Sequence, residues 1–278
     1  MRLRSLLFVP ADRPERYAKA LASGADAIII DLEDSVAPAA KPEARDALAH
    51  FLSQRGEGKV LVRVNPLDSG QAEADLAALA GAMPDGIMLP KAEGAASVER
   101  LQSLAAAKLP ILPIASETPA AIFEMGSYRS CGEALMGLTW GAEDLPAAIG
   151  ATTSRAADGS YTAPYELARG LTLFAAHAAG VPAIETVFPA IADKEGLAAY
   201  AARGRRDGFA GMMAIHPAQV PIINAAFAPS ETEIAQAEAV VAAFAANPEA
   251  GALQLDGRMI DRPHLVQARR ILAQAGAL

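Results

Sequence analysis

Cysteine is all but missing from this chain: Cys131 stands alone among 278 residues. One thiol excludes an internal disulfide framework and a cysteine metal cluster, and it points to a reducing, cytoplasmic setting. Positive charge is also short, since 24 Lys and Arg against 32 Asp and Glu leave a net charge of −8. That balance argues against nucleic acid as the main partner. No apolar run approaches the roughly 20 residues of a membrane helix, so no membrane partner is expected. The opening Met1-Arg2-Leu3-Arg4-Ser5-Leu6-Leu7-Phe8-Val9-Pro10 sets basic residues before an apolar run, as a signal peptide does. The run is short and leads straight into Asp12-Arg13-Pro14-Glu15, so it reads as a first strand. Also missing are a phosphate-binding glycine loop of either common type and a serviceable Ser-His-Asp order.

What is present is a regular alternation. Apolar, β-rich runs recur at Leu6 to Pro10, Ala27 to Leu32, Val60 to Val64, Gly86 to Pro90, Ile111 to Ala115, Leu135 to Trp140, Ala183 to Phe188 and Met212 to Ile215. Alanine-rich helical stretches separate them, with Asp12 or Pro14 opening one, Pro42 near the start of the next, and Ser97 leading toward Leu101 and Leu104 on one face. Continuous hydrophobic strands imply a parallel sheet covered on both faces. Eight strand-helix units in a chain of this length imply a closed (β/α)₈ TIM barrel, for which about 250 residues are typical. The barrel is expected over residues 1–228. Residues 229–278 are not needed to close it and read as a C-terminal helical arm or lid: a helix after Pro229-Ser230-Glu231, two extended pieces around Asp256-Gly257, and a last helix after Pro263.

In such barrels functional residues sit at the C-terminal ends of strands. This chain places Asp31, Glu33 and Asp34 there after the second strand, Arg63 and Asn65 on the third, Lys91 and Glu93 after the fourth, Glu117 after the fifth, Glu143 and Asp144 after the sixth, Glu185 after the seventh and His216 after the eighth. Acids delivered to one place repel each other and raise a pKa unless a cation lies between them. The simplest cation for an all-oxygen site is a divalent metal, and Mg²⁺ commonly takes only one or two protein carboxylates. Arg63, a cation in an apolar strand, must find anions. It can pair with Asp31 or Glu33, or clamp a substrate carboxylate with its fork. Lys91 can form a Schiff base or stay protonated among the acids, and the acids favour the second. His216 reads as a loop anchor and Trp140 as core.

The runs Leu7-Phe8-Val9-Pro10-Ala11, Asp31-Leu32-Glu33-Asp34, Arg63-Val64-Asn65-Pro66, Met88-Leu89-Pro90-Lys91, Glu117-Thr118, Gly141-Ala142-Glu143-Asp144 and Ile215-His216-Pro217-Ala218-Gln219 together resemble the citrate lyase beta subunit-like family of the aldolase and citrate lyase superfamily. The resemblance covers almost the whole chain in order. It implies Mg²⁺, or Mn²⁺, bound by Glu117 and Asp144, and a 2-oxo acid held by Arg63. It also implies a coenzyme A thioester site with contributions from Phe8, Lys19 and the stretch from Ser35 to Lys41. Met259-Ile260-Asp261-Arg262-Pro263 is similar to the tail of malyl-CoA and citramalyl-CoA lyases, where the aspartate enters a neighbouring subunit's site as acid/base. A homo-oligomer, trimer or hexamer, follows from that resemblance. The implied activity is reversible carbon-carbon cleavage of a 3-hydroxyacyl-CoA to an acyl-CoA and a 2-oxo acid. Thioesterase or malate synthase-like chemistry, or a citryl-thioester lyase subunit of a larger complex, are the alternatives. Two stretches depart from the family pattern: Glu185-Thr186-Val187-Phe188-Pro189-Ala190, where relatives begin with aspartate and end with an acid, and Pro119-Ala120-Ala121, where a small residue and glycine are usual.

Overall fold

The structure is a computed structural model that describes residues 3–276. The chain divides between Ala226 and Phe227 into two compact units. In the first, eight strands run in order: β1 (Ser5–Pro10), β2 (Ala27–Asp31), β3 (Val60–Arg63), β4 (Gly86–Leu89), β5 (Ile111–Pro113), β6 (Leu138–Thr139), β7 (Ala183–Glu185) and β8 (Gly211–Ala214). β1 pairs in parallel with both β2 and β8, so the first and last strands are neighbours. Parallel bridges from Ile111 to Leu135 and from Ile114 to Thr139 join β5 to the β6 segment and close the ring. This is the (β/α)₈ barrel, and all eight expected runs supply its strands. Where β8 meets β1 the backbones approach closely. A side chain on Gly211 would lie 1.7 Å from the Leu3 carbonyl oxygen, so only glycine fits.

Both faces of each strand are buried, which is why the strands read as unbroken apolar runs. Inward positions Leu6, Ile29, Leu61, Met88, Leu112, Ile184 and Met213 fill the barrel interior. The alternate positions Leu7, Ile28, Ile30, Val62 and Ile87 are equally buried on the outer face. Full burial of such a side chain stabilises by about 1.5–3 kcal/mol, so this double-sided core is the main source of stability. The helices between strands start where proline or a cap dictates. Thr118 accepts a hydrogen bond from the Ala121 amide and Pro119 follows it, opening the helix Pro119–Glu124.

The second unit carries its own small core, in which Val240, Phe244, Ile260, Leu265 and Leu272 meet. Its first helix, Glu231–Ala246, begins with a reciprocal capping box between Ser230 and Glu233. The strands β9 (Ala252–Leu255) and β10 (Arg258–Asp261) pair antiparallel across Asp256-Gly257. Both turn residues have positive φ, 47° and 76°, the conformation that makes Asp-Gly a two-residue hairpin turn. The final helix, Arg262–Ala275, starts at once after Asp261. Among the described residues no helix is long and apolar enough to cross a membrane.

Candidate active site

The strand pleat decides which side chains reach the barrel mouth. On β1 the inward series runs Leu6, Phe8; on β2 it runs Ala27, Ile29, Asp31; on β3 it runs Leu61, Arg63. The last member of each series stands at the C-terminal rim, where a cavity of about 340 Å³ opens. Phe8, Ile114 and Met213 give it an apolar wall, and Arg63, Glu117 and Asp144 give it charge.

Arg63 is the most heavily engaged of these groups. Its Nε and one terminal nitrogen each donate to a different oxygen of Asp31, both at 2.7 Å, its other terminal nitrogen lies 2.8 Å from Glu33, and its plane sits 5.0 Å from the Phe8 ring centre. Burial alone would push the Asp31 carboxyl up, but the Arg63 fork outweighs it and holds the group below the usual carboxylate range. The ion-pair reading of Arg63 is met by both Asp31 and Glu33. Asp31 takes the side edge of the guanidinium and Glu33 the remaining terminal nitrogen, and the residue also lines the cavity.

Glu117 lies four residues beyond β5, in the segment that leads from it to the helix Pro119–Glu124, and is almost wholly buried. The Lys91 amide donates to it at 2.6 Å. Burial raises its pKa to about 8, and the neighbouring Asp144 and Glu33 push in the same direction. Gly141 permits this placement, because a Cβ there would meet the Glu117 side chain at 2.8 Å. The ends of β5 and β6 are clasped by Ser116, which accepts from the Gly141 amide and donates to its carbonyl. Three residues beyond Gly141, Asp144 opens the short helix Asp144–Ile149 and stays half-exposed. Lys91 bridges the acids, with Nζ 2.9 Å from Glu33 and 3.7 Å from Asp144. Its pKa is raised against the pull of burial by the Glu33 hydrogen bond. That favours the ammonium over the free amine a Schiff base needs.

Among the described residues no three His, Cys, Asp or Glu side chains converge as a metal cage. A pair does converge, Glu117 and Asp144, one buried and charge-loaded and the other open to the cavity. That is the donor set Mg²⁺ uses when water or substrate oxygens complete its shell, so the residues fit a divalent ion.

The remaining expected positions separate. Phe8 and Ser35 line the cavity, whereas Lys19 lies on the exposed side of the helix Tyr17–Leu21 and is not among the lining residues. Lys41 departs from the expected thioester contact: its ammonium is buried and donates to the Leu32 and Glu33 carbonyls after β2 and to Asn65 after β3, so all three protons are used in tying these two segments together. Glu185 likewise turns away from the cavity. It accepts from Trp140, Tyr200 and the Thr186 amide and pairs with Arg169 at 2.8 Å, fixing β6 and β7 to the surrounding helices. His216 anchors its loop by accepting from the Ala218 amide. In the second unit, Asp261 is paired with His264 at 2.5 Å, and both side chains are exposed.

Sequence reasoning missed the support behind Asn65. Asp75, fully buried, accepts from Asn65 and from Arg45. It stands among Ala72, Leu76 and Leu79 on the buried face of the helix Ala72–Leu79. A carboxylate at a core position of an apolar stripe was the available signal, and Arg169 among Ala168, Thr172 and Ala176 is a second case.

A parallel barrel whose strand ends gather a carboxylate pair, a lysine and a forked arginine around a small cavity defines the class. The HpcH/HpaI aldolase/citrate lyase model matches residues 4–217, and the chain belongs to that family. It is 39% identical over 270 residues to a citrate lyase subunit beta-like protein of Mycobacterium tuberculosis, covering 97% of this chain and 94% of that one. It is 37% identical over 285 residues to a (3S)-malyl-CoA thioesterase of Cereibacter sphaeroides, covering 99% and 95%. The fold superposes with a TM-score of 0.86 and 39% identity on the crystal structure of the protein CitE from M. tuberculosis in complex with magnesium, acetoacetate and coenzyme A, covering 98% of each chain.

Proposed function

We propose that this chain is a Mg²⁺-dependent carbon-carbon lyase that acts reversibly on a 3-hydroxyacyl-CoA of the malyl-CoA or citramalyl-CoA type, giving an acyl-CoA and a 2-oxo acid. The observation that carries this reading is Glu117: a nearly buried carboxylate, its pKa raised to about 8, set beside Asp144 at the mouth of a cavity that also holds Arg63. An acid cluster of this kind calls for a cation, and the related CitE structure contains magnesium, acetoacetate and coenzyme A.

Glu117 and Asp144 would hold the ion. When bound, it supplies Lewis-acid stabilisation of negative charge on substrate oxygens. Arg63, held by Asp31 and Glu33 at the wall of the cavity, supplies the positive charge that attracts the substrate carboxylate of the 2-oxo acid fragment. Phe8, Ile114 and Met213 keep water from that end of the cavity. In the cleavage direction the 3-hydroxyl gives its proton to solvent, its oxygen becomes the carbonyl of the 2-oxo acid as the bond to the thioester's α-carbon breaks, and that bond's electron pair leaves as the thioester enolate, which takes up a proton. Asp261 of a neighbouring copy is the proposed proton donor to the enolate, and the base in condensation. Its exposed place at the end of the β9–β10 hairpin supports this role and a homo-oligomeric assembly, a trimer or hexamer.

A second reading, thioester hydrolysis at the same site, is favoured by the 37% identity to a (3S)-malyl-CoA thioesterase. A panel of malyl-, methylmalyl-, citramalyl- and citryl-thioesters, followed for 2-oxo acid and for free thiol, separates the two. Lyase action releases 2-oxo acid with the thioester intact. Free thiol without 2-oxo acid establishes hydrolysis instead.

A further inference from the structure

Lys91 is the one non-glycine residue of the barrel unit with positive φ among the described residues, at 50°. A residue with a side chain adopts that conformation at a cost and keeps it only where its surroundings demand it. Here the demand is electrostatic. The twist lets one residue face three acids at once: its amide donates to Glu117 at 2.6 Å, its ammonium donates to Glu33 at 2.9 Å, and the same ammonium stands 3.7 Å from Asp144. The two carboxylates that form the metal seat are thus both touched by Lys91, one through its backbone and one through its side chain.

The two contacts differ in kind. The Glu33 contact is a hydrogen bond to a buried partner, whereas the Asp144 contact is longer than a hydrogen bond and involves a half-exposed carboxylate. The tether to Glu33 is the firm one, and Asp144 is the partner that can be given up.

We propose that Lys91 is a resident counter-cation of the metal seat: without metal its ammonium neutralises Asp144, and a divalent ion must displace that contact to bind. This inference rests on the assignment of Glu117 and Asp144 as the metal seat and adds a competitor to it. Lys91 keeps the acid cluster folded when the ion is absent and sets the affinity for the ion below what the two carboxylates alone would give. After the ion enters, Lys91 stays tied to Glu33 and the repulsion between ammonium and ion limits how tightly the ion is held.

The test is Mg²⁺ titration by calorimetry, with thermal unfolding in chelator and in saturating Mg²⁺, on the full chain and on Lys91→Gln and Lys91→Arg. Lys91→Gln keeps a donor for Glu33 and loses the charge, so Mg²⁺ should bind about tenfold tighter, from removal of a like charge a few ångströms from the ion. Its melting temperature should fall in chelator and return to near the parent value with Mg²⁺. Lys91→Arg keeps the charge and should bind Mg²⁺ like the parent. Unchanged or weaker Mg²⁺ affinity in Lys91→Gln overturns the inference and leaves the metal seat standing. Absence of Mg²⁺ binding in the parent chain overturns the metal seat and the inference with it. If Lys91→Gln does not fold in chelator, refolding with Mg²⁺ present supports the inference, and failure to fold under both conditions overturns it.

Discussion

Asp31 and Arg63 stand opposite each other in the register of β2 and β3 and share two hydrogen bonds of 2.7 Å. The arginine is thereby fixed before any ligand arrives, with Nε and one terminal nitrogen committed to Asp31 and the other terminal nitrogen 2.8 Å from Glu33. Arg63→Lys keeps the charge and loses the fork. The apparent affinity for the 2-oxo acid in the condensation direction should fall roughly tenfold or more, with little change in the KM for the thioester. Steady-state kinetics with each substrate varied in turn reads this split, and equal loss for both marks Arg63 as a purely structural partner.

Removing the other half of the pair addresses stability. Asp31→Ala leaves a guanidinium with Glu33 as its main acidic partner, and breaking a buried pair from one side costs about 3–5 kcal/mol. Because Glu33 remains in contact at 2.8 Å, the lower end of that range is expected in chemical denaturation.

The pH dependence follows from Glu117. Its folded-state pKa of about 8 exceeds the ordinary 4.5, so the folded chain binds a proton there that the unfolded chain has released. Without metal, this group's contribution to stability is full below about 4.5 and is lost as pH rises toward 8. Metal binding needs the carboxylate form, so Mg²⁺ affinity should climb with pH up to about 8 and level off above it. Calorimetry in two buffers of different ionisation enthalpy should detect close to one proton released per ion near pH 6.5 and none well above 8.

Much of this site was legible in the sequence because strand-end position and side-chain type are local properties. Eight apolar runs fixed the barrel, and the acids, Arg63 and Lys91 followed them at the expected places. The Asp256-Gly257 turn was equally readable, since positive φ at both positions is written in those two residue types. The orientation of a side chain was not legible. Glu185 ends one apolar strand and Glu117 follows another, yet Glu185 turns outward to Arg169 and Tyr200 while Glu117 turns toward Asp144. Strand parity separates them only once the exact strand end is known. Lys41 and Asp75 were hidden for a related reason, because their partners lie on other elements.

Glu185 offers a contrast to the site residues. Glu185→Gln replaces an acceptor-only carboxylate with an amide whose donor must face Trp140, Tyr200 or Arg169. A loss of about 3 kcal/mol is expected, along with a change in emission from Trp140, the sole tryptophan. The KM values should stay within about threefold, since the side chain points away from the cavity and acts by packing. Denaturation curves and kinetics on the same preparation check both parts.

The role proposed for Asp261 would tie chemistry to assembly. Asp261→Asn should keep Mg²⁺ and substrate binding while turnover falls roughly 10²–10⁴-fold, the scale for a positioned acid or base. Mixing inactive Asp261→Asn chains with inactive Glu117→Ala chains, with subunit exchange verified, should restore part of the activity. No recovery assigns Asp261 to its own chain or removes it from the chemistry.

The central claim is that Glu117 and Asp144 form the metal seat, and calorimetric Mg²⁺ titration of the parent, Glu117→Ala and Asp144→Ala tests it most directly. The account predicts one ion per chain for the parent, with binding weakened at least tenfold in each variant while circular dichroism shows the barrel intact. Unchanged Mg²⁺ affinity in both folded variants would contradict it.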